Sequence, residues 1–510
     1  MRVINRIIGI IFSLFLLAIV FVKIYQLKDL SLKIVILSLL VMGLGVILLR
    51  LFSNKLRLNN IYYRIQHTIN SISNFKIIGI VFLLSLFIKV TCVFIFQIDS
   101  PSGNSDIMGY MKCANELVNY GEIRTLQTWI FYFPYLFWFS LFITPPIFLF
   151  GNSIIAVSVY MSIMNSITVS LIASIIISQF GKLKSIMVSA ALIFLPSQMI
   201  IPQCFIHEQA LLFFLTIALW LYFSILPKMR KIYSKVIIVA LFCISLLFAR
   251  MVNGGATIAI IAFTIYSIIK YKSIIKKIII PALAICFVFL SLGIVNKVPV
   301  GFTDIDVTTT QKDYFSSWGY YVGLNIDSKG EFSSSDSEKY GWNKYNMNTT
   351  NLSGEALTKY RKQLLQDRLN ERLSHPSDLA YLAVCKFNTI FGEYKFPFGF
   401  IEGSKINTSA NSAFHFYINF EYIFMVVLVF LAFLNTILNY KKQINDTSIN
   451  LFLKLFMMGM TAALLLIECN NKYAFVVNIY LIIYGICCLD KSVIKRLFIN
   501  KKTNLYVEKE

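Results

Sequence analysis

Apolar runs separated by short polar stretches recur along almost the whole chain. A run of about 18 or more apolar residues is long enough to cross a bilayer as a helix. Such runs are predicted at about 7–26, 34–52, 77–97, 153–179, 185–203, 208–226, 235–250, 253–269, 278–296, 418–440, 451–468 and 475–489. Trp129–Phe150 is of similar length but carries Pro134, Pro145 and Pro146. Basic residues decide how it counts. Arg2 and Arg6 precede the first run, and Lys55, Arg57, Arg64 and Lys76 follow the second. Later loops carry Lys182 and Lys184, then Lys228, Arg230, Lys231 and Lys235, then Lys270, Lys272, Lys276 and Lys277. Basic loops stay cytoplasmic, and all of these fall inside only if Trp129–Phe150 does not cross. That stretch is therefore predicted to be juxtamembrane or re-entrant, which is tolerated where protein covers the broken backbone.

The pattern predicts an all-α polytopic membrane protein of about twelve transmembrane helices, with both termini cytoplasmic. Residues 1–76 form an N-terminal pair of spans and a basic loop. Residues 77–296 form a transmembrane core with an outer loop at 98–130. Residues 297–415 form an extracytoplasmic segment, mostly helical or irregular. Residues 416–510 hold the last spans and a basic tail with Lys491, Lys495, Arg496, Lys501 and Lys502. Two outer features stand out. In Asp99–Gly121, the positions Tyr110, Ala114 and Leu117 share one helical face, with Gly121 as its stop. In the long outer segment, Ser353–Leu373 is expected to be an amphipathic helix with Leu357, Tyr360, Leu364 and Leu373 near one face. Leu379–Phe391 is too short to span and is expected at the interface.

Composition narrows the function. The chain is 57% hydrophobic, which excludes a soluble enzyme of this size. Lys+Arg (47) exceed Asp+Glu (25), but in such a chain this follows from the positive-inside rule and not from nucleic acid. The nine cysteines lie mostly in apolar runs without paired spacing, so neither a disulfide framework nor a metal knuckle is expected. The first run has no small-residue cleavage site and a second span follows at once, so it is kept as a span. The abundant Tyr and Phe are attributed to packing and to the interface belt.

The topology brings several polar groups to one outer face. These are Asp106, the pair His207-Glu208 at the start of a span, Arg250 at the end of another, and Glu468 with Lys472-Tyr473 in the last outer turn. Lys89 lies inside the third span, where a charge costs roughly 2.5–3.5 kcal/mol at mid-bilayer, and so marks a functional candidate. Plainer readings stand beside these. Asp106 and Glu208 suit helix N-termini, Arg250 and Lys472 suit helix-end anchors, and Lys89 suits a snorkelling lysine. Taken together, a carboxylate beside water can deprotonate an acceptor hydroxyl, and cations at the same depth can hold a lipid phosphate as it leaves.

In the same order, the chain resembles the GT-C superfamily of integral membrane glycosyltransferases, and within it glycosyltransferase family 39, which includes bacterial relatives of protein O-mannosyltransferases and aminoarabinose transferase. Asp106, Tyr110, Ala114, Leu117 and Gly121 fit that family's first outer loop, with Ile107 where a second acid often stands. Phe150-Gly151-Asn152-Ser153 matches its next motif. Pro196 or Pro202 with Glu208, then Arg250 followed by Met251, then His375-Pro376 through Lys386, resemble its later ones. Glu468 with Lys472-Tyr473 resembles its last element, Lys replacing Arg. The resemblance covers about 77 to 490. It implies a GT-C-type bundle in the plasma membrane and a polyprenyl-phosphate-linked sugar as donor. It also implies inverting transfer to a glycan, lipid or protein acceptor on the extracytoplasmic side. Asp106 would be the general base, and Arg250, Lys472 and Lys89 would contact the donor phosphate. Tyr110, His207, Glu208, Glu468 and Tyr473 would bind substrate or a divalent metal, which some members of the superfamily use and others do not. Two other readings remain at this stage. A lipid-linked glycan transporter suits twelve spans but lacks the expected internal repeat. A polysaccharide polymerase also has a long outer loop but would use pyrophosphate-linked donors.

Overall fold

A computed structural model describes residues 2–27, 67–96, 106–270, 282–303 with breaks at 284, 287–288, 291–292 and 296, 317–341, 350–392 except 353, 408–438 and 448–488. Every regular element among these residues is a helix. The expected span 34–52, the basic tail, and parts of 98–130 and 278–296 lie outside the described residues.

In chain order the helices are α1 (Arg2–Gln26), α2 (Asn74–Phe96), α3 (Asp106–Tyr120), α4 (Gln127–Tyr132), α5 (Pro134–Phe142), α6 (Thr144–Phe150) and α7 (Ile154–Phe180). Next come α8 (Lys182–Phe194), α9 (Pro196–Ile200), α10 (His207–Trp220), α11 (Ile232–Val252) and α12 (Ala256–Lys270). The polar segment contributes α13 (Trp318–Gly323), α14 (Ser334–Tyr340), α15 (Gly354–Ser374) and α16 (Pro376–Phe391). The chain ends on α17 (Thr408–Leu438), α18 (Ser448–Leu466) and α19 (Phe475–Cys488).

Seven helical segments, with α10 counted through its continuation to Lys228, are long and apolar enough to cross a bilayer, and α8 with the stretch from Pro196 to Gln203, bent by 65°, makes an eighth if it is one span. The protein is thus an all-α polytopic membrane protein. The expected count of about twelve is not reached among the described residues. The 15-residue α12 is about 22 Å long at 1.5 Å per residue, short of a hydrocarbon core of about 30 Å. The Asn253-Gly254-Gly255 turn starts it late. The apolar helix from Lys472 to Cys488 is short in the same way. Trp129–Phe150 breaks into α4, α5 and α6, with Pro134 opening α5 and Pro145 in the first turn of α6, where a missing N–H costs nothing. None of the three is long enough to cross.

The bundle is built around α7, which packs on α2, α8 and α10, while α10 packs on α11. A second group joins α17 to α1 and α19, and α18 to α12. Lys182 Nζ donates to Asn70 O at 2.7 Å and Ile72 O at 2.6 Å, and Lys184 Nζ donates to Cys487 O. These contacts gather the first basic loop, the start of α2 and the end of α19 at one end of the bundle.

Two expectations change in detail. The helix α15 buries Leu357 but leaves Leu373 59% exposed, while Arg361 is 0% exposed. Arg361 donates to Tyr340 O and Gly341 O, and Arg368 and Arg372 donate to Tyr321 O and Leu324 O. The helix is docked by arginines as much as by its leucines. The predicted span 185–203 is broken at Pro196, which has no N–H for the carbonyl four residues back, Leu192 O. Lys89 Nζ, 0% exposed, donates there at 3.3 Å and to Ser85 Oγ at 2.9 Å.

That contact predicts that Lys89→Met leaves Leu192 O without a donor. A cost of about 1–3 kcal/mol is expected from such an orphaned group. A melting temperature in detergent measures it, and no loss would refute the capping role.

Candidate active site

At the end of the bundle opposite the basic loop, three chain segments meet. The first is α3, which starts at Asp106. Gly121, at φ +71°, takes the left-handed conformation that stops it, its N–H bonding to Leu117 O at 3.1 Å. Tyr110, one turn in, is buried against Trp129 and Phe139, at ring distances of 5.7 and 4.9 Å. The second segment is the start of α10. The turn before it is tied by Gln209 Nε2 donating to Ile201 O at 2.7 Å. His207 Nδ1 lies 3.4 Å from the Tyr110 hydroxyl, and its ring lies 5.0 Å from that of Tyr135.

The third segment is the turn from α18 to α19. Its backbone is satisfied from outside the turn. Lys386 Nζ donates to Leu465 O at 2.9 Å and Ile467 O at 2.7 Å, capping the end of α18. Glu468 N donates to Gly319 O at 2.7 Å and Cys469 N to Gly330 O at 2.8 Å. Asn470 Oδ1 accepts from Lys472 N at 3.1 Å. Held this way, the turn aims Lys472 Nζ at Asp106 Oδ2, 3.3 Å away.

These segments surround a cavity of about 770 Å³. Of the residues singled out from sequence, Asp106, Tyr110, His207, Glu468, Lys472 and Tyr473 line it together. Glu208, 1% exposed, sits behind His207, with Oε1 3.2 Å from His207 Nε2 in a geometry that makes no hydrogen bond. Arg250 and Lys89 do not line the cavity. Arg250 Nε is buried without a hydrogen bond among the described residues, and Lys89 caps α8 as described. Among the described residues no group of three or more His, Cys, Asp or Glu side chains is placed to hold a metal ion, so Asp106, His207 and Glu208 do not form a ligand set.

The cavity also takes in residues that no sequence motif marked. Trp129, Phe133 and Tyr135 come from the proline-broken stretch. Trp318, Phe332, Ser334, Ser337 and Glu338 come from the long polar segment. Only the fold brings them here, so spacing along the chain held no signal for them.

Burial pushes the Tyr110 and Tyr135 phenols well above their ordinary range, so both stay neutral donors and acceptors. Burial also pushes the Glu468 carboxyl up, with Lys472 pulling the other way and Asp106 adding to the rise. Burial lowers the Lys386 ammonium to about 8, against the opposing pull of Cys469 and Glu468. The site therefore concentrates acidic groups around one lysine.

No protein-family model and no curated protein matches the chain. Among solved structures it is similar to the crystal structure of ArnT from Cupriavidus metallidurans bound to undecaprenyl phosphate. The identity is 11% and the TM-score 0.32, over 80% of this chain and 77% of that chain. The superposition is loose, and the chemistry of the site stands on this chain's own residues.

The docking of the polar segment on the α18–α19 turn has a steric test. A Cβ on Gly323 would lie 2.6 Å from the Ile467 carbonyl carbon and 2.8 Å from its oxygen. Gly323→Ala is expected to cost about 1–3 kcal/mol, as overpacking does, and to make 317–341 more sensitive to limited proteolysis. Unchanged stability would show that this contact does not hold the site together.

Proposed function

We propose that the protein is a membrane glycosyltransferase of the GT-C kind. It moves a sugar from a polyprenyl-phosphate-linked donor to an acceptor hydroxyl, with inversion, on the extracytoplasmic face. The observation that carries this reading is the Asp106–Lys472 contact at the mouth of an aromatic-walled cavity. The two chemical needs of the reaction, a base and a cation, are met by two residues 366 positions apart in the chain.

The proposed step uses both. The acceptor oxygen attacks the anomeric carbon while Asp106 accepts the hydroxyl proton. The bond from that carbon to the phosphate oxygen breaks, and the lipid phosphate leaves with the electron pair. Lys472 stabilises the charge that develops on it. Asp106 then returns its proton to water. Without substrate, base and cation neutralise each other, and the donor phosphate replaces the carboxylate as the partner of Lys472. One carboxylate acting once gives inversion. Tyr110, His207 and Tyr473 contribute hydrogen-bonding and ring surface to the sugar. The sequence resemblance to family 39 supports the same assignment of Asp106.

The test is transfer by the reconstituted protein from a panel of polyprenyl-phosphate-linked hexoses and pentoses. Asp106→Asn is expected to lower kcat by roughly 10²–10⁴, the usual worth of a general base. Lys472→Ala is expected to raise the KM for the donor and lower kcat as well. Transfer that survives Asp106→Asn at wild-type rate would overturn the assignment.

A further inference from the structure

We propose that the hairpin joining α10 to α11 binds an anionic phospholipid, with the headgroup on Lys228, Arg230, Lys231 and Lys235 and the acyl chains along α11. The inference concerns the end of the bundle away from the cavity and does not rest on the transferase reading.

Packing fixes where the hairpin sits. The α10 segment starts at His207 on the cavity wall and runs on to Lys228. Near its far end, Ser224 Oγ lies 3.1 Å from Ser178 Oγ, and Phe223 O accepts from Gln179 Nε2 at 3.1 Å. Both partners belong to the last turn of α7, just before Lys182. The hairpin therefore shares the basic end of the bundle.

Its charges differ from the others there. The ammoniums of Lys182 and Lys184 are taken by backbone carbonyls. Lys228, Arg230, Lys231 and Lys235 are exposed, and among the described residues none of them is in an ion pair. The sequence offers no local counter-charge, since no Asp or Glu lies between Glu208 and Asp304. Lys231 and Lys235 stand four residues apart, at the start of α11, and so share one face of it. Like charges held this close repel, and an anion brought between them relieves that cost.

The surface beside the charges is apolar. Ile232 is 76% exposed and Val236 63%, with Tyr233 and Ile237 open beside them and Leu241 and Ile244 continuing along the helix. Lys231 Nζ lies 5.5 Å from the centre of the Tyr233 ring, which puts an aromatic at the boundary between charge and oil. Only 28% of the most apolar stretch of α11 is buried in the protein, the smallest share among the seven candidate spans. A soluble polyanion would use the cations and leave this face uncovered. A neutral lipid would do the reverse. A phospholipid with an anionic headgroup answers both.

The test counts bound lipid. The full chain in neutral detergent is titrated with phosphatidylglycerol and, separately, with phosphatidylcholine, and occupancy is read by native mass spectrometry. Phosphatidylglycerol is expected to bind more tightly by about fivefold or more, since each cation near an anionic lipid surface is worth roughly that factor. Lys231→Gln combined with Lys235→Gln is expected to remove most of that preference. Raising the salt tenfold shortens the screening length about threefold and is expected to weaken phosphatidylglycerol and spare phosphatidylcholine. This arm uses the unaltered chain, so it decides the matter even if the double variant folds poorly. Lys472→Ala, at the cavity, is expected to leave the preference intact. Glycerol 3-phosphate is expected not to displace the lipid, because a free headgroup has no chains to lie on α11. The inference is overturned if the two lipids bind alike, if the preference survives the double variant or high salt, if it is lost in Lys472→Ala instead, or if glycerol 3-phosphate competes as well as the lipid does.

Discussion

The backbone of the α18–α19 turn is the constraint on which the site depends. A turn at the edge of a bilayer exposes carbonyls and amides that neither lipid nor its own helices can satisfy. Here Lys386 closes the carbonyls of Leu465 and Ile467, and the carbonyls of Gly319 and Gly330 accept the amides of Glu468 and Cys469. Each partner comes from a different part of the polar segment. Satisfying one turn therefore docks α13, α16 and the 325–330 loop against the membrane bundle. The reach of Lys472 toward Asp106 is a consequence of that docking, because the side chain projects from a backbone that cannot rotate away.

The location of the charges follows from cost. An ion pair at the centre of a bilayer loses more in desolvation than it regains in attraction unless hydrogen bonds complete it. Asp106 is 49% exposed and Lys472 22% exposed in their side chains, so the pair sits where water still reaches. A half-exposed pair of that kind is screened by water and contributes little to stability. Glu208 shows the other side of the same balance. Its carboxylate is buried without a hydrogen bond, one residue from His207 on the cavity wall. The imidazole nitrogen 3.2 Å away makes no hydrogen bond to it.

Much of the membrane architecture was legible in the apolar runs, since length and hydropathy report directly on what lipid permits. Asp106, His207, Glu468, Lys472 and Tyr473 were legible as candidates because each is polar near the end of an apolar run, and Tyr110 because it shares a helical face with Ala114 and Leu117 in the polar loop that begins with Asp99; the structure gathers them in one cavity. The 65° bend at Pro196 was not seen, because hydropathy is blind to direction. Trp318 and Glu338 were not seen either. They lie in a polar segment with no period to read, and their place on the cavity wall is set by contacts between distant parts of the chain. The helix α15 was read only in part: Leu357 is buried and Tyr360 and Leu364 pack against the core as their spacing suggested, but Leu373 is exposed, and the buried polar contacts of Arg361 and Arg368 had no signal in that spacing.

Lysines account for the remaining surprise. A lysine inside a membrane helix reads as functional because the charge is costly. In this fold several lysines share a different task. Lys23 donates to Phe391 O, Lys89 to Leu192 O, Lys182 to Asn70 O, Lys184 to Cys487 O and Lys386 to Leu465 O. Every acceptor is a carbonyl in the last turn of a helix, where the backbone has no partner of its own and the dipole favours a cation. Short, broken helices such as α8 and α16 create more such ends than straight spans would, and a long flexible ammonium reaches them from a neighbouring helix. Part of the basic excess that looked like a rule of orientation is therefore the complement of helix breakage. On that account Lys89 belongs to the break at Pro196, and Lys472, which caps no helix end among the described residues, is left as the lysine whose charge faces the cavity.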